Sequence, residues 1–165
     1  MRTIISLIIL SLFLALPVEA TPCESCKIKK KDHVLLNKKE MQWMAAPAAL
    51  PPGAKISILH GNPKAPGFFA MRIEAPGGYT IPPHWHPADE HVTVISGTFN
   101  MGIGSQMDKT KGKALPAGSF AMMKKGTRHF AWTKGKTVVQ VHAMGPWGIN
   151  YVNPADDPRK IEEEI

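Results

Sequence analysis

The sequence predicts an all-β sandwich or barrel, and three observations carry that expectation. From Ala54 onward, short apolar runs recur at close spacing between Gly- and Pro-rich turns. Glycine (14) and proline (15) are both plentiful, which favours turns over long helices. The 165 residues suit one domain with a real hydrophobic core, and no coiled-coil, repeat or transmembrane pattern competes.

The first elements precede the barrel. Arg2, the apolar run Ile4 to Leu16, the break at Pro17 and Val18-Glu19-Ala20 read as a signal peptide over 1–20, cleaved after Ala20. An uncleaved anchor is the alternative, although the run is shorter than the ~20 residues that span a bilayer. The mature chain is then expected in a periplasm or outside the cell. Residues 21–53 read as an N-terminal arm. Cys23 and Cys26 are the only cysteines; export favours a local disulfide or a disordered tail, with a redox or metal role as the alternative. Asn37-Lys-Lys-Glu40 resembles a capping box, so a short helix to about Met44 is expected before Pro47. Trp43 is assigned to packing against the outside of the barrel.

Residues 54–152 form the expected barrel. Lys55–Leu59, Phe68–Ile73, Tyr79–Ile81, His84–Ser96, Phe99–Ile103, Lys113–Leu115, Ser119–Met123, His129–Thr133, Val138–Ala143 and Ile149–Val152 read as strands, with turns at the intervening Gly and Pro positions. Phe99–Ile103 is expected to return beside the strand before it. The tail 153–165 is polar and frays or forms a short helix. The net charge of +7 comes from scattered lysines, with no basic stripe interleaved with aromatics, so nucleic acid is not the expected partner.

The chemistry concentrates in Gly78–Gly97. His84, His86 and Glu90 share one parity, so on a single strand they would converge on one face. Three buried titratable groups are costly unless paired or bound to a cation, and a metal needs neutral imidazole and ionised carboxylate. Asp89 and His91 have the opposite parity and are assigned to the outer face or rim. Trp85, Phe130 and Trp132 are read as packing or rim residues. Phe99, Met101, Met122 and Met144 are candidates for barrel wall or cavity lining, and His33 and His60 for the surface. Gln140 and His142 share a face of their strand and are the candidate catalytic or supporting polar pair, if that face points inward.

This stretch resembles the first signature of the cupin superfamily, G-x5-H-x-H-x3-E-x6-G, through Gly78, His84, His86, Glu90 and Gly97. Gly118, Gly126 and His129 resemble the second, with Lys124 in place of its proline and Thr133 in place of its asparagine. The resemblance implies a cupin barrel (a jelly roll, or double-stranded β-helix) and His129 as a fourth ligand from another strand. It also implies a possible homodimer, with the arm pairing between subunits. Three histidines and a glutamate leave one or two positions on a divalent ion. That set favours Fe(II) or Mn(II) and allows zinc, nickel or copper. The expected function is an exported metal-binding protein acting on a small organic molecule, with dioxygenase-type oxidation as the leading chemistry. The alternative is a non-catalytic sensor, carrier or scavenger.

Overall fold

A computed structural model describes residues 33–161. Eleven strands run in chain order: β1 Met44–Ala45, β2 Lys55–His60, β3 Gly67–Ala75, β4 Thr80–Trp85, β5 Glu90–Ser96, β6 Thr98–Ile103, β7 Lys113–Pro116, β8 Phe120–Met123, β9 His129–Thr133, β10 Thr137–Gly145 and β11 Asn150–Tyr151. A one-turn helix, α1, closes the described chain at Pro158–Ile161. The signal segment 1–20 and the pair Cys23 and Cys26 lie outside the described residues.

The strands form two antiparallel sheets, ordered β1-β2-β3-β10-β5-β8 and β11-β4-β9-β6-β7. One apolar core joins their inner faces: Met71, Ile73, Val92 and Val141 from the first sheet, Ile81, Phe99, Met101 and Ala131 from the second. This is the two-sheet jelly roll of a cupin barrel. Alternation produces it, because successive strand residues face opposite sides. In β10 the buried residues are Thr137, Val139, Val141 and Ala143, and those between them are more exposed.

Two expected connections are corrected. The stretch 84–96 is not one strand; β4 ends at Trp85, a corner covers 86–89, and β5 begins at Glu90 in the other sheet. Nor does β6 return beside β5. Gly97, at φ +76°, turns the chain from β5 across to the second sheet, and a Cβ there would sit 2.7 Å from Oγ1 of Thr137 at the start of β10. Glycine tolerates both the positive φ and the close approach.

The expected helix before Pro47 is also absent. Glu40 Oε2 does accept from Asn37 N at 2.8 Å, and Asn37 Oδ1 from Lys39 N at 2.9 Å. The turn stops there because Met44 and Ala45 pair with Ile56 and Lys55 along the edge of β2, and Pro47 leaves no room for further helical turns. This part of the arm therefore docks on the edge of its own barrel. Trp43 is 37% exposed, not packed away.

The outer face of the five-stranded sheet is buried where β9 runs through it. Phe130 and Trp132 stack with centroids 6.0 Å apart. A Cβ at Gly102 would run into the Phe130 ring, and one at Gly112 into the Trp132 ring. Both glycines serve as floor for an aromatic side chain. Gly102→Ala is therefore expected to destabilise the fold by about 1–3 kcal/mol through overpacking. A thermal unfolding midpoint unchanged from the parent would contradict that placement.

Candidate metal centre

The site forms where the two sheets meet at a corner. His84 lies in β4, directly across from His129 in β9, with ring centroids 4.2 Å apart. A register shift between Ile81 and His84 leaves both residues facing inward despite their odd spacing around Pro82-Pro83. His86 sits in the corner, and Glu90 opens β5. Two bonds tie that corner to the turn before β9: Gly126 N donates to His86 O at 3.0 Å, and Lys125 N donates to Asp89 Oδ1 at 2.8 Å. Asp89 is exposed, as expected, yet it fastens the two motif regions together.

The turn survives the missing proline at 124. Thr127 N donates to Lys124 O at 2.9 Å, and Gly126 takes φ +78°. Thr133, standing where the signature has asparagine, is buried; its Oγ1 donates to Pro76 O at 2.6 Å and accepts from Tyr79 N at 3.1 Å. It anchors the turn that launches β4.

His84, His86 and His129 are all buried and bring ligand atoms within 4.8 Å of one another. Each ring is oriented by a backbone carbonyl. Nδ1 of His84 donates to Pro82 O at 2.7 Å, that of His86 to Gly148 O at 2.7 Å, and that of His129 to Thr127 O at 2.9 Å. A carbonyl can only accept, so Nδ1 carries the proton and a neutral ring keeps its Nε2 lone pair. That is the tautomer a metal takes, held by the outer hydrogen bond typical of histidine ligands.

Glu90 contacts two of the three rings, with Oε1 3.5 Å from His86 Nε2 and Oε2 3.4 Å from His129 Nε2. Burial raises its carboxyl, and His86 and His129 lower it only where those rings carry a proton on Nε2. Burial, then the neighbouring His129 and His86, drives His84 down to about 3. His86 is also lowered, first by burial. Neutral rings would aim lone pairs at a carboxylate, and His86 Nε2 is buried with no hydrogen-bond partner. A divalent cation between these groups resolves both features, so the donor set fits a metal.

The four side chains form part of the wall of a cavity of about 880 Å³. Phe99 and Met101 line it as expected, whereas Met122 and Met144 are exposed elsewhere. Trp147, not singled out in the sequence, lines the cavity and stacks on His86 at 4.3 Å and 14°. Its tight Gly145-Pro-Trp-Gly148 setting is the only sequence signal it carried. Gln140 and His142 are corrected: they project from the opposite face of β10 from the core residues Val139 and Val141. There Gln140 accepts from Arg72 Nε at 3.0 Å and contacts His142 Nε2 at 3.0 Å, while the His142 ring stacks on Phe68 at 5.8 Å.

The shifts fix the sign of an acid response. Unfolded, His84 takes a proton near 6.5, but folded only near 3. The folded state thus binds fewer protons between those values, and the stability this group contributes is complete above pH 6.5 and lost on acidification towards 3. The metal-free protein should therefore show an unfolding midpoint that falls steadily from pH 6.5 to 4. A flat profile would contradict buried neutral imidazoles.

Comparison with known proteins agrees with this architecture. Residues 22–150 match the family described as Domain of unknown function (DUF4437). The chain is 38% identical over 91 residues to Germin-like protein 5-1 of Oryza sativa subsp. japonica, covering 54% of this chain and 40% of the relative. Among solved structures, the polyketide cyclase RemF of Streptomyces resistomycificus superposes with TM-score 0.60 at 16% identity, over 78% of this chain and 92% of that one. A candidate acetylacetone dioxygenase of Methylibium petroleiphilum PM1 gives 0.59 at 19%, over 78% and 87%. An RmlC-like cupin of Shewanella frigidimarina gives 0.52 at 16%, over 66% and 87%. The chain spans less than half of the germin-like relative, and the structural likenesses speak for the fold. With its motif histidines gathered in a two-sheet barrel, the chain belongs to the DUF4437 family within the cupin superfamily.

Proposed function

We propose that this is an exported metal-dependent cupin that oxidises a small organic molecule with dioxygen, using Fe(II) or Mn(II) held by His84, His86, His129 and Glu90. The observation that carries it is the meeting of that donor set with a roomy cavity. Three imidazoles and one carboxylate leave one or two positions of a five- or six-coordinate ion for substrate or oxygen. When bound, such an ion supplies Lewis acidity and oxygen activation. The chain's own residues orient the rings, keep them unprotonated, and shield the site within the barrel.

The lining favours oxidation over proton-shuttling chemistry. Beyond the four proposed ligands, its titratable side chains are Lys64 and Arg159, both exposed. Arg159 is already paired with Asp157 at 2.7 Å. No buried acid or base stands ready for isomerisation or decarboxylation among the described residues. The relatives include a cyclase and a candidate dioxygenase, so the cavity, not the fold, supports this choice.

The same feature favours the second reading, a non-catalytic module that holds a metal or small ligand. A homodimer is proposed with either reading. The outer face of the six-stranded sheet exposes Phe120 (60%), Met144 (55%) and Phe68 (52%), and sedimentation as a monomer would remove that part.

Metal analysis of the exported protein should find about one ion per chain, reduced at least about tenfold by His84→Ala. Near-zero metal in the parent would overturn the site. Oxygen uptake is then followed with catechols, diketones, thiols and flavonoids. Turnover that is lost with the metal, and unchanged in His142→Ala and Gln140→Ala, supports the oxidase reading; silence with metal bound favours the binding module.

A further inference from the structure

We propose that the cavity takes a molecule with an extended apolar body and an oxygen-rich head at one end. The head rests on the metal reading above; the apolar body rests on the lining alone.

The size of the hollow is the first argument. About 880 Å³ lies at the upper end of what a drug-sized ligand occupies. A hydroxy acid or other small hydrophilic substrate would leave most of it vacant. Protein interiors otherwise pack as densely as organic crystals, so a hollow on this scale is room for something.

The chemistry of the wall is the second. Ile58, Ile73, Val92, Phe99, Met101 and Val141 face the cavity from both sheets. Apart from the four proposed ligands and two indoles, the polar side chains on it are Asn62, Lys64, Asn150 and Arg159. Asn62, Lys64 and Arg159 are exposed, which places them at the rim. Between rim and metal site the wall is mainly aliphatic and aromatic. A sugar would leave its hydroxyls without partners there, and lost hydrogen bonds are costly on burial.

The N-terminal arm completes the wall. Met44, Ala49 and Leu50 of the arm line the same cavity. This strap is latched from the barrel: Tyr79 Oη donates to Pro51 O at 2.6 Å, and Tyr151 Oη donates to Ala49 O at 2.8 Å. Burial pushes both phenols upward, so they stay protonated as donors. The arm's contribution to the cavity is thus a further apolar surface held in place by its backbone.

Linear alkyl hydroxamic acids test the proposal, because their head chelates a metal and their tail length is adjustable. Binding of the two- to ten-carbon series is measured by calorimetry on the full chain, Mn(II)-loaded and metal-free. The expected affinity rises about fourfold per methylene, hence roughly a few thousand-fold over the six methylenes from acetohydroxamate to octanohydroxamate. Metal should add a constant further gain at every length. In Ala49→Trp, with folding checked by thermal melting, the rise should stop at shorter tails while acetohydroxamate binds as before. A metal gain with no dependence on tail length overturns the apolar ligand and leaves the metal site standing. Length dependence with no metal gain supports the apolar body and removes the metal-bound head. Absence of binding throughout overturns both.

Discussion

Three hydrogen bonds from imidazole Nδ1 to backbone carbonyls decide what this protein can do. They run to Pro82, Gly148 and Thr127, and each acceptor lies in an irregular part of the chain. Pro82 occupies the shifted register of β4, Thr127 the turn before β9, and Gly148 the loop before β11. Those segments are tied in turn: Gly126 N to His86 O at 3.0 Å, and Trp147 N to Pro63 O at 2.7 Å. Because the carbonyls can only accept, the rings are left with their metal-ready nitrogens free. Without such anchors, three buried imidazoles beside a carboxylate would titrate or rotate away.

The barrel around them couples two otherwise competing demands. A stable fold needs its inner faces filled, and a ligand site needs them open. Here much of the apolar core doubles as cavity wall, including Ile73, Val92, Phe99 and Val141. Stability is drawn from elsewhere as well, notably a buried patch on the outer face of the second sheet, where Phe130 and Trp132 pack above two glycines. The strap latched by Tyr79 and Tyr151 then covers part of the opening with apolar surface.

Much of the site was legible in the sequence, though not for the reason parity suggested. Spacing marked His84, His86 and Glu90 as convergent, but His84 lies near the end of one strand, Glu90 opens another in the other sheet, and His86 lies in the corner between them. The corner and the register shift at Pro82-Pro83 are tertiary features that local alternation cannot express. Strand positions followed well from the Gly and Pro punctuation. Which face of a strand points inward did not. Gln140 and His142 share a face as expected, yet pairing of β10 between β3 and β5 turns that face outward. Residues 37–40 do form their capping-type bonds, but the edge of β2 claims the following residues before a helix can grow. Trp147 went unnoticed because its role depends on a stack with His86, 61 positions earlier in the chain.

The claim on which the rest depends is that His84, His86, His129 and Glu90 together hold one ion. X-ray absorption at the edge of the metal bound to the purified protein tests this most directly. The account predicts imidazole scattering from about three rings plus a carboxylate oxygen, falling by one ring in His129→Gln. A spectrum without imidazole scattering, or one unchanged by that substitution, would contradict it.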